Sequence, residues 1–384
     1  MTRSTFVSAD AAELAFVVRS GFVESRHIGS AVVLDPDGSP LISLGAPEAP
    51  VFTRSSLKPL QAIAAMSLGA QVSGTWAALA TASHKCETGH AEAVAGMLES
   101  VGLSPADLHC PSAHPADGAF RRSLQETARQ LGRNDTDPAS PLYFNCSGKH
   151  AAFLMAATAI GADTTSYLDL NHPVQKKVAE VVEAFAGESP AAVGTDGCGA
   201  PVFALSLTGL ARAIGRVVRL GSADEGPADE NLATTSAGDL HDVAASRYTD
   251  YADQARTLMD AVFDEPWAIE GHGKPNSTVI DRLGVFAKGG AEGVIAMSTK
   301  SGYSVALKCL DGSSRPTTWV ALNLLELAGA FDDKYWMHEC TLEDLYPHIV
   351  DPITGGTDSE GRTSIVGRLG LGEDVAKIRQ RESH

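Results

Sequence analysis

The stretch ELAFVVRSGFVESRHIGSAVVLDPDGSPLISLG, Glu13 to Gly45, decides the fold. Apolar and polar residues alternate along it around the turn DPDG, Asp35 to Gly38, the period-two pattern of antiparallel strands joined by a hairpin. The same pattern returns near the other end, where GVFAKGGAEGVIAMSTKSGYSVALKCLDG, Gly284 to Gly312, holds two or three alternating runs with Gly-containing turns. Between them the apolar spacing changes to three and four residues, as in HAEAVAGMLESVGL, KHAAFLMAATAIGA, PVQKKVAEVVEAFAG and APVFALSLTGLARAIGRVVRLG. Strands at both ends around a helical middle predict a mixed α/β (α+β) fold. One antiparallel sheet is built from the N- and C-terminal strands and flanked by helices, with a mainly helical lobe inserted. The expected division of this one domain is a core of residues 1–70 and 270–350 and a lobe of 71–269. Residues 354–384, rich in Gly and charge, read as a flexible tail, and the acidic Ala/Ser-rich segment between 221 and 250 as a solvated loop.

The 384 residues are 44% hydrophobic and 20% charged, enough for a large core. A formal net charge of −17 argues against a nucleic-acid or anionic-membrane partner, because both need a basic face. The N-terminal MTRSTFVSADAAELAFVV lacks a signal-peptide pattern and no run reaches the roughly 20 apolar residues of a membrane span, which makes a cytoplasmic location the expectation. Six cysteines, Cys86, Cys110, Cys146, Cys198, Cys309 and Cys340, are scattered with no C-x-x-C pair and read as free thiols.

The candidate chemistry begins at FTRSSLKPLQA, Phe52 to Ala62. VFTR reads as a strand end and PLQAIAAMSLGA as an apolar helix, so Ser55 and Lys58 share a face of the first helical turn. A lysine held there beside Arg54 and away from water has a depressed pKa and can take a serine proton. The same spacing also suits a polar helix start. Two further proton carriers stand in suggestive settings: Ser83 in TASHKCETGH, and Lys288 in FAKGGAEGV, where Gly289 and Gly290 permit close backbone approach. A strand lysine followed by glycines beside an S-x-x-K helix is similar to the serine β-lactamase arrangement; the alternative is a snorkelling edge-strand lysine. The Gly-rich loops FNCSGKHAAF (Cys146, Ser147, Lys149, His150) and VGTDGCGAPV (Asp196, Cys198) each precede an apolar helix, a setting for a substrate carboxylate or an oxyanion. Their two cysteines either share a zinc ion or are buried free thiols.

Taken in order, RSGFVESRHIGSAVV, TRSSLKPLQA, ASHKCETGH, NCSGKHAAFL, GTDGCGAPVFALSL and KGGAEGV resemble the Rhizobium etli type L-asparaginase II family of amidohydrolases, from Glu13 to about Val294. The resemblance implies a fold like that of serine β-lactamases and glutaminases. It implies two Ser–Lys tandems, Ser55 with Lys58 and Ser83 with Lys288, and a zinc site of Cys146, Lys149 and Cys198. Arg54, His150 and Asp196 match pocket positions, with Arg54 suited by charge to a substrate carboxylate and Asp196 to its ammonium group. It also implies a homodimer. Cys86 departs from the family's motif, which has a small glycine before the position of Glu87. The function expected is hydrolysis of the L-asparagine side-chain amide to L-aspartate and ammonia through a serine acyl-enzyme. The alternatives are a related acyl-transfer hydrolase (a glutaminase, or a β-lactam or peptide hydrolase) and a non-catalytic zinc- or amino-acid-binding protein.

Overall fold

The structure, a computed structural model, describes residues 4–133, 137, 139–222, 248–331 and 340–382. In chain order it forms β1 (Ala12–Arg19), β2 (Phe22–Leu34), β3 (Pro40–Leu44) and β4 (Val51–Phe52), then α1 (Lys58–Ser67), α2 (Thr75–Ala80), α3 (Thr88–Glu99), α4 (Gly118–Gln130), α5 (Ser147–Ala159) and α6 (Pro173–Ala186). There follow β5 (Ala192–Thr195), β6 (Pro201–Leu205), α7 (Leu207–Gly221), α8 (Ala252–Asp264), α9 (Trp267–Glu270) and α10 (Pro275–Leu283). The chain continues through β7 (Phe286–Gly290), β8 (Val294–Ser298), β9 (Ser304–Cys309), α11 (Thr317–Leu327), α12 (Leu342–Ile349), β10 (Ile353–Thr357), β11 (Thr363–Leu371) and α13 (Glu373–Glu382). It divides into a sheet unit, Met1–Ser56 with Ala204–Gly215 and Lys274–His384, and a helical unit, Leu57–Phe203 with Arg216–Gly273.

The sheet unit holds an eight-stranded sheet in the order β10-β11-β1-β2-β9-β8-β7, with β3 beside the second half of β2. The pairings are antiparallel, so strands from both ends of the chain form one sheet, as the alternating patterns require. β2 is the central strand: Gly29 to Leu34 pair with Cys309 to Ser304 of β9, and Ala31, Val32, Val33 and Leu34 are fully buried. The DPDG turn closes on the Asp35 side chain, which accepts from the Asp37 and Ser39 amides.

Of residues 354–384, expected as a tail, those up to 382 form most of β10 and all of β11 and α13. β11 pairs with β1 from Ala15↔Leu371 to Arg19↔Gly367. Only Leu369 of β11 and Ile353 of β10 are buried, so backbone hydrogen bonds supply most of what orders this hairpin, and Gly- and charge-rich composition does not reveal them. The acidic segment read as a loop falls mainly on 223–247, outside the described residues.

In the helical unit α1 packs against α5 and α6, α2 against α8, and α3 against α5. α1 therefore lies with the helices, whereas residues 57–70 were expected with the sheet. Its residues Lys58 to Ala65 are all buried, and a helix apolar on every side needs helices around it. α5 approaches α2 so closely that a Cβ on Gly148 would stand 2.4 Å from the Leu79 carbonyl oxygen. No described helix is long and apolar enough to cross a membrane.

Candidate active site

Lys58 opens α1 and is only 1% exposed. Its Nζ lies 3.0 Å from Ser83 Oγ and 3.5 Å from the Asn145 carbonyl and also meets the Ala82 carbonyl, three acceptors of which a neutral amine can donate to two at a time. Charged side chains are rarely buried so completely. Burial holds the amine below its ordinary range, and the positive charge of Lys149 adds to that, against the opposing pull of Cys146. Lys58, expected as the partner of Ser55, is thus bonded to Ser83.

Cys146 and Cys198, far apart in sequence, meet. Cys198 shares a hydrogen bond with Cys146, and this bond, with the nearby charges of Lys58 and Lys149, holds the Cys146 thiol well below its usual range despite burial. Lys149, 2% exposed, donates to Cys198 Sγ at 3.1 Å. Burial alone would lower its pKa, but the sulfur charges and that hydrogen bond outweigh burial and hold it raised. Among the described residues no three His, Cys, Asp or Glu side chains are grouped to hold a metal ion, so a metal here needs an amine donor. Two thiols and one amine in mutual contact are a soft S, S, N set that suits zinc, provided the lysine gives up its proton.

Ser83 is fixed by its amide, which donates to the Ile269 carbonyl at 2.8 Å, and Lys85 likewise bonds Glu270 at 2.8 Å. Cys86, the departure from the family motif, has φ 56°, a left-handed conformation that favours glycine. Its side chain is fully buried and its thiol is pushed up to about 12 by burial, with Asp117 adding to the effect, so it is held as the inert thiol. His150 is fully buried. Tyr167 Oη accepts from the His109 amide at 2.9 Å and shares a 2.7 Å hydrogen bond with His150 Nδ1, while His150 Nε2 is buried without a protein partner. Burial and the two nearby lysines keep this ring neutral. Asp196 caps its own loop, accepting from the Gly197 amide at 2.8 Å, and its charge helps hold Lys149 raised.

In the sheet unit Arg54 begins a tight turn, Arg54–Leu57, with φ 50°, so the residue before the candidate nucleophile Ser55 is also left-handed. The end of β7 runs against this segment: a Cβ on Gly290 would lie 3.0 Å from the Thr53 carbonyl oxygen and 3.2 Å from the Ser55 amide nitrogen. Lys288 sits on β7, fully buried, with Nζ donating to the Gly289 carbonyl at 2.9 Å. The Gly289 amide donates to Asn276 Oδ1 at 3.1 Å, which pins the free edge of β7. Sequence reasoning passed over Asn276, whose signal was an Asn at the helix start KPNS. It also passed over the Asn145 carbonyl, which as a backbone group carries no sequence signal.

A family model described as L-asparaginase II matches residues 15–351, leaving β10, β11 and α13 outside the match. No curated protein matches the chain. Among solved structures, Mglu in its glutamate form superposes with a TM-score of 0.34 at 14% identity over 78% of this chain, which spans 60% of that one. A putative beta-lactamase from Bacteroides dorei DSM 17855 gives 0.37 at 15% identity, over 79% of this chain and 92% of its own.

Proposed function

The chain belongs to the L-asparaginase II family of amidohydrolases, and from that premise we propose that it hydrolyses the side-chain amide of L-asparagine through an acyl-enzyme on Ser55. One observation carries the reading: Lys58 is a buried lysine biased toward the neutral amine and bonded to a serine hydroxyl. A neutral amine has the lone pair that a general base needs. Ser55 lies one turn before Lys58. Its Oγ attacks the amide carbon as its proton passes to Lys58 Nζ, and the Ser55 amide beside Gly290 donates to the oxyanion.

Collapse of the tetrahedral adduct breaks the C–N bond. The proton moves from Lys58 through Ser83 to the leaving ammonia, and Lys288 holds the strand end against which substrate lies. Water then attacks the ester, returns a proton to Ser55 and releases aspartate. Arg54 is assigned to the substrate carboxylate and Asp196 to its ammonium group by charge complementarity, and the buried His150 Nε2 is a further polar group available to substrate. Cys146, Lys149 and Cys198 would hold a zinc ion, which when bound supplies a fixed positive charge that ties the two Gly-rich loops together.

The test is ammonia release by purified protein from L-asparagine, compared with L-glutamine and with nitrocefin. Asparagine turnover that vanishes in Ser55→Ala is the expected result. Tight asparagine or aspartate binding without ammonia release would favour a binding protein, and preferred glutamine or nitrocefin turnover would move the substrate assignment.

A further inference from the structure

His84 follows Ser83 in the chain and is 1% exposed, yet the mechanism above gives it no part. Its Nε2 stands 2.9 Å from Ser147 Oγ. Ser147 Oγ spends its one hydrogen on the Leu142 carbonyl at 2.9 Å, so it accepts from the ring and His84 is the Nε2–H tautomer. That leaves Nδ1 as a buried acceptor with no protein partner. A buried ring nitrogen without a hydrogen bond is a standing penalty that a leucine of similar size would not carry, so the Nε2 bond needs a reason.

The two residues so joined lie on different segments. His84 belongs to Ala82–Cys86, which carries Ser83. Ser147 belongs to the start of α5, between Cys146 and Lys149. Lys58 spans the same seam, with Ala82 and Ser83 on one side and Asn145 on the other. The His84 ring is backed by His90, stacked at 5.0 Å and 15°, and His90 in turn by Trp267 at 4.8 Å. His90 itself is fixed by accepting the Glu87 amide on Nδ1 at 3.1 Å.

We propose that His84 is a positioning residue: its bond to Ser147 is the second fastening across this seam and sets Ser83 and Lys58 in register with the Cys146–Lys149 loop. In its catalytic consequence the inference rests on the asparaginase reading. Without His84 the bonds named across the seam would be those of the Lys58 amine, which in the proposed mechanism also moves protons, and a group that must move protons is a poor fastener.

Three variants separate the donor from the shape of the ring. In His84→Gln the side-chain amide reaches the place of Nε2; in His84→Asn it stops near Nδ1; His84→Leu has no donor. Two readouts are taken on purified protein: kcat and KM for ammonia release from L-asparagine, and the rate of Cys146 alkylation by iodoacetamide followed by mass spectrometry. His84→Leu and His84→Asn should lose about 10–100-fold in kcat, the usual effect of removing a group that orients a functional one, with little change in KM. Their Cys146 should alkylate faster, while His84→Gln stays near wild type in both readouts. Ser147→Ala, which also gives up the bond to the Leu142 carbonyl, should lose at least as much kcat as His84→Leu, and the double variant should be no worse than Ser147→Ala, because the His84–Ser147 bond can be lost only once; this arm carries the test if His84→Leu does not fold. His84→Leu with wild-type kcat and alkylation overturns the proposal, as does His84→Gln no better than His84→Asn. Should the wild-type chain release no ammonia from asparagine, the functional reading fails alone, and equal Cys146 alkylation in wild type and His84→Leu would then overturn the positioning role.

Discussion

Lys58 Nζ lies 3.0 Å from Ser83 Oγ, so the lysine of the S-x-x-K motif is bonded to a serine 25 positions further along the chain. In the proposed mechanism this one amine serves the hydroxyls of both Ser55 and Ser83, which makes the set act as a unit. Ser55→Ala, Lys58→Ala and Ser83→Ala should each lower kcat by orders of magnitude, with double variants little worse than the worst single one. Additive losses, measured as kcat for ammonia release, would break the unit apart.

The depressed pKa of Lys58 sets a pH dependence. The base form is the neutral amine, so activity should rise with pH through an apparent pKa below the ordinary 10.5 of lysine. A flat profile between about pH 6 and about pH 9 would count against lysine bases.

Stability carries the same signature with a definite sign. As pH falls below 10.5 the unfolded chain takes a proton that folded Lys58 resists, so the fold loses stability down to the folded pKa and no further. Relative to Lys58→Met, wild type should therefore look worse at neutral pH than near pH 10. Melting temperatures of both proteins at the two pH values check this, and a constant difference would mean the amine is not depressed.

Cys86 sets backbone against packing. Its left-handed φ favours glycine, and its buried sulfur favours keeping a side chain. Alanine keeps the strain and loses the sulfur, so Cys86→Ala should be less stable than Cys86→Gly by about 1 kcal/mol, although glycine removes more atoms. Chemical denaturation of the two variants decides, and the reverse order would show that packing outweighs the strained φ.

For metal, purified protein should carry about one zinc per chain, lost in the Cys146→Ser Cys198→Ser double variant. Lys149 is held protonated by the sulfur charges, so zinc must displace its proton, and occupancy should fall on acidification. Chelation should raise KM more than it lowers kcat. Complete and zinc-reversible loss of kcat with the fold intact would instead make the metal the catalyst.

The sheet was legible because Glu13–Gly45 and Gly284–Gly312 carry short apolar-rich runs broken by turn residues, although β8, β9 and the second half of β2 are buried at nearly every position and not at alternate ones. The residues of the candidate site were legible as motifs, yet their mutual contacts were not. Nothing local to TRSSLKPLQA says that Lys58 reaches Ser83, and nothing in ASHKCETGH says that His84 bonds Ser147, since both contacts follow from how α1, α2 and α5 pack. The order within 354–384 escaped because β11 is held by backbone pairing to β1, and β10 by pairing to β11, which leave little mark on composition. Cys86 was legible as an oddity of the motif, and its φ supplies the reason a glycine belongs there.

β1 lies between β2, which leaves the ribosome just after it, and β11, which begins only at Thr363. Throughout synthesis, then, the edge of β1 that β11 will cover stays bare, carrying unpaired amides and carbonyls that any neighbouring nascent chain could match. The sheet closes by pairing Ala15–Arg19 with Gly367–Leu371, a long-range closure of the sort that makes folding slow and truncation hazardous. A chain ended after Val350 should retain its motifs yet collect in the pellet at expression temperatures where the full chain stays in solution, and equal solubility would show that β1 protects its own edge.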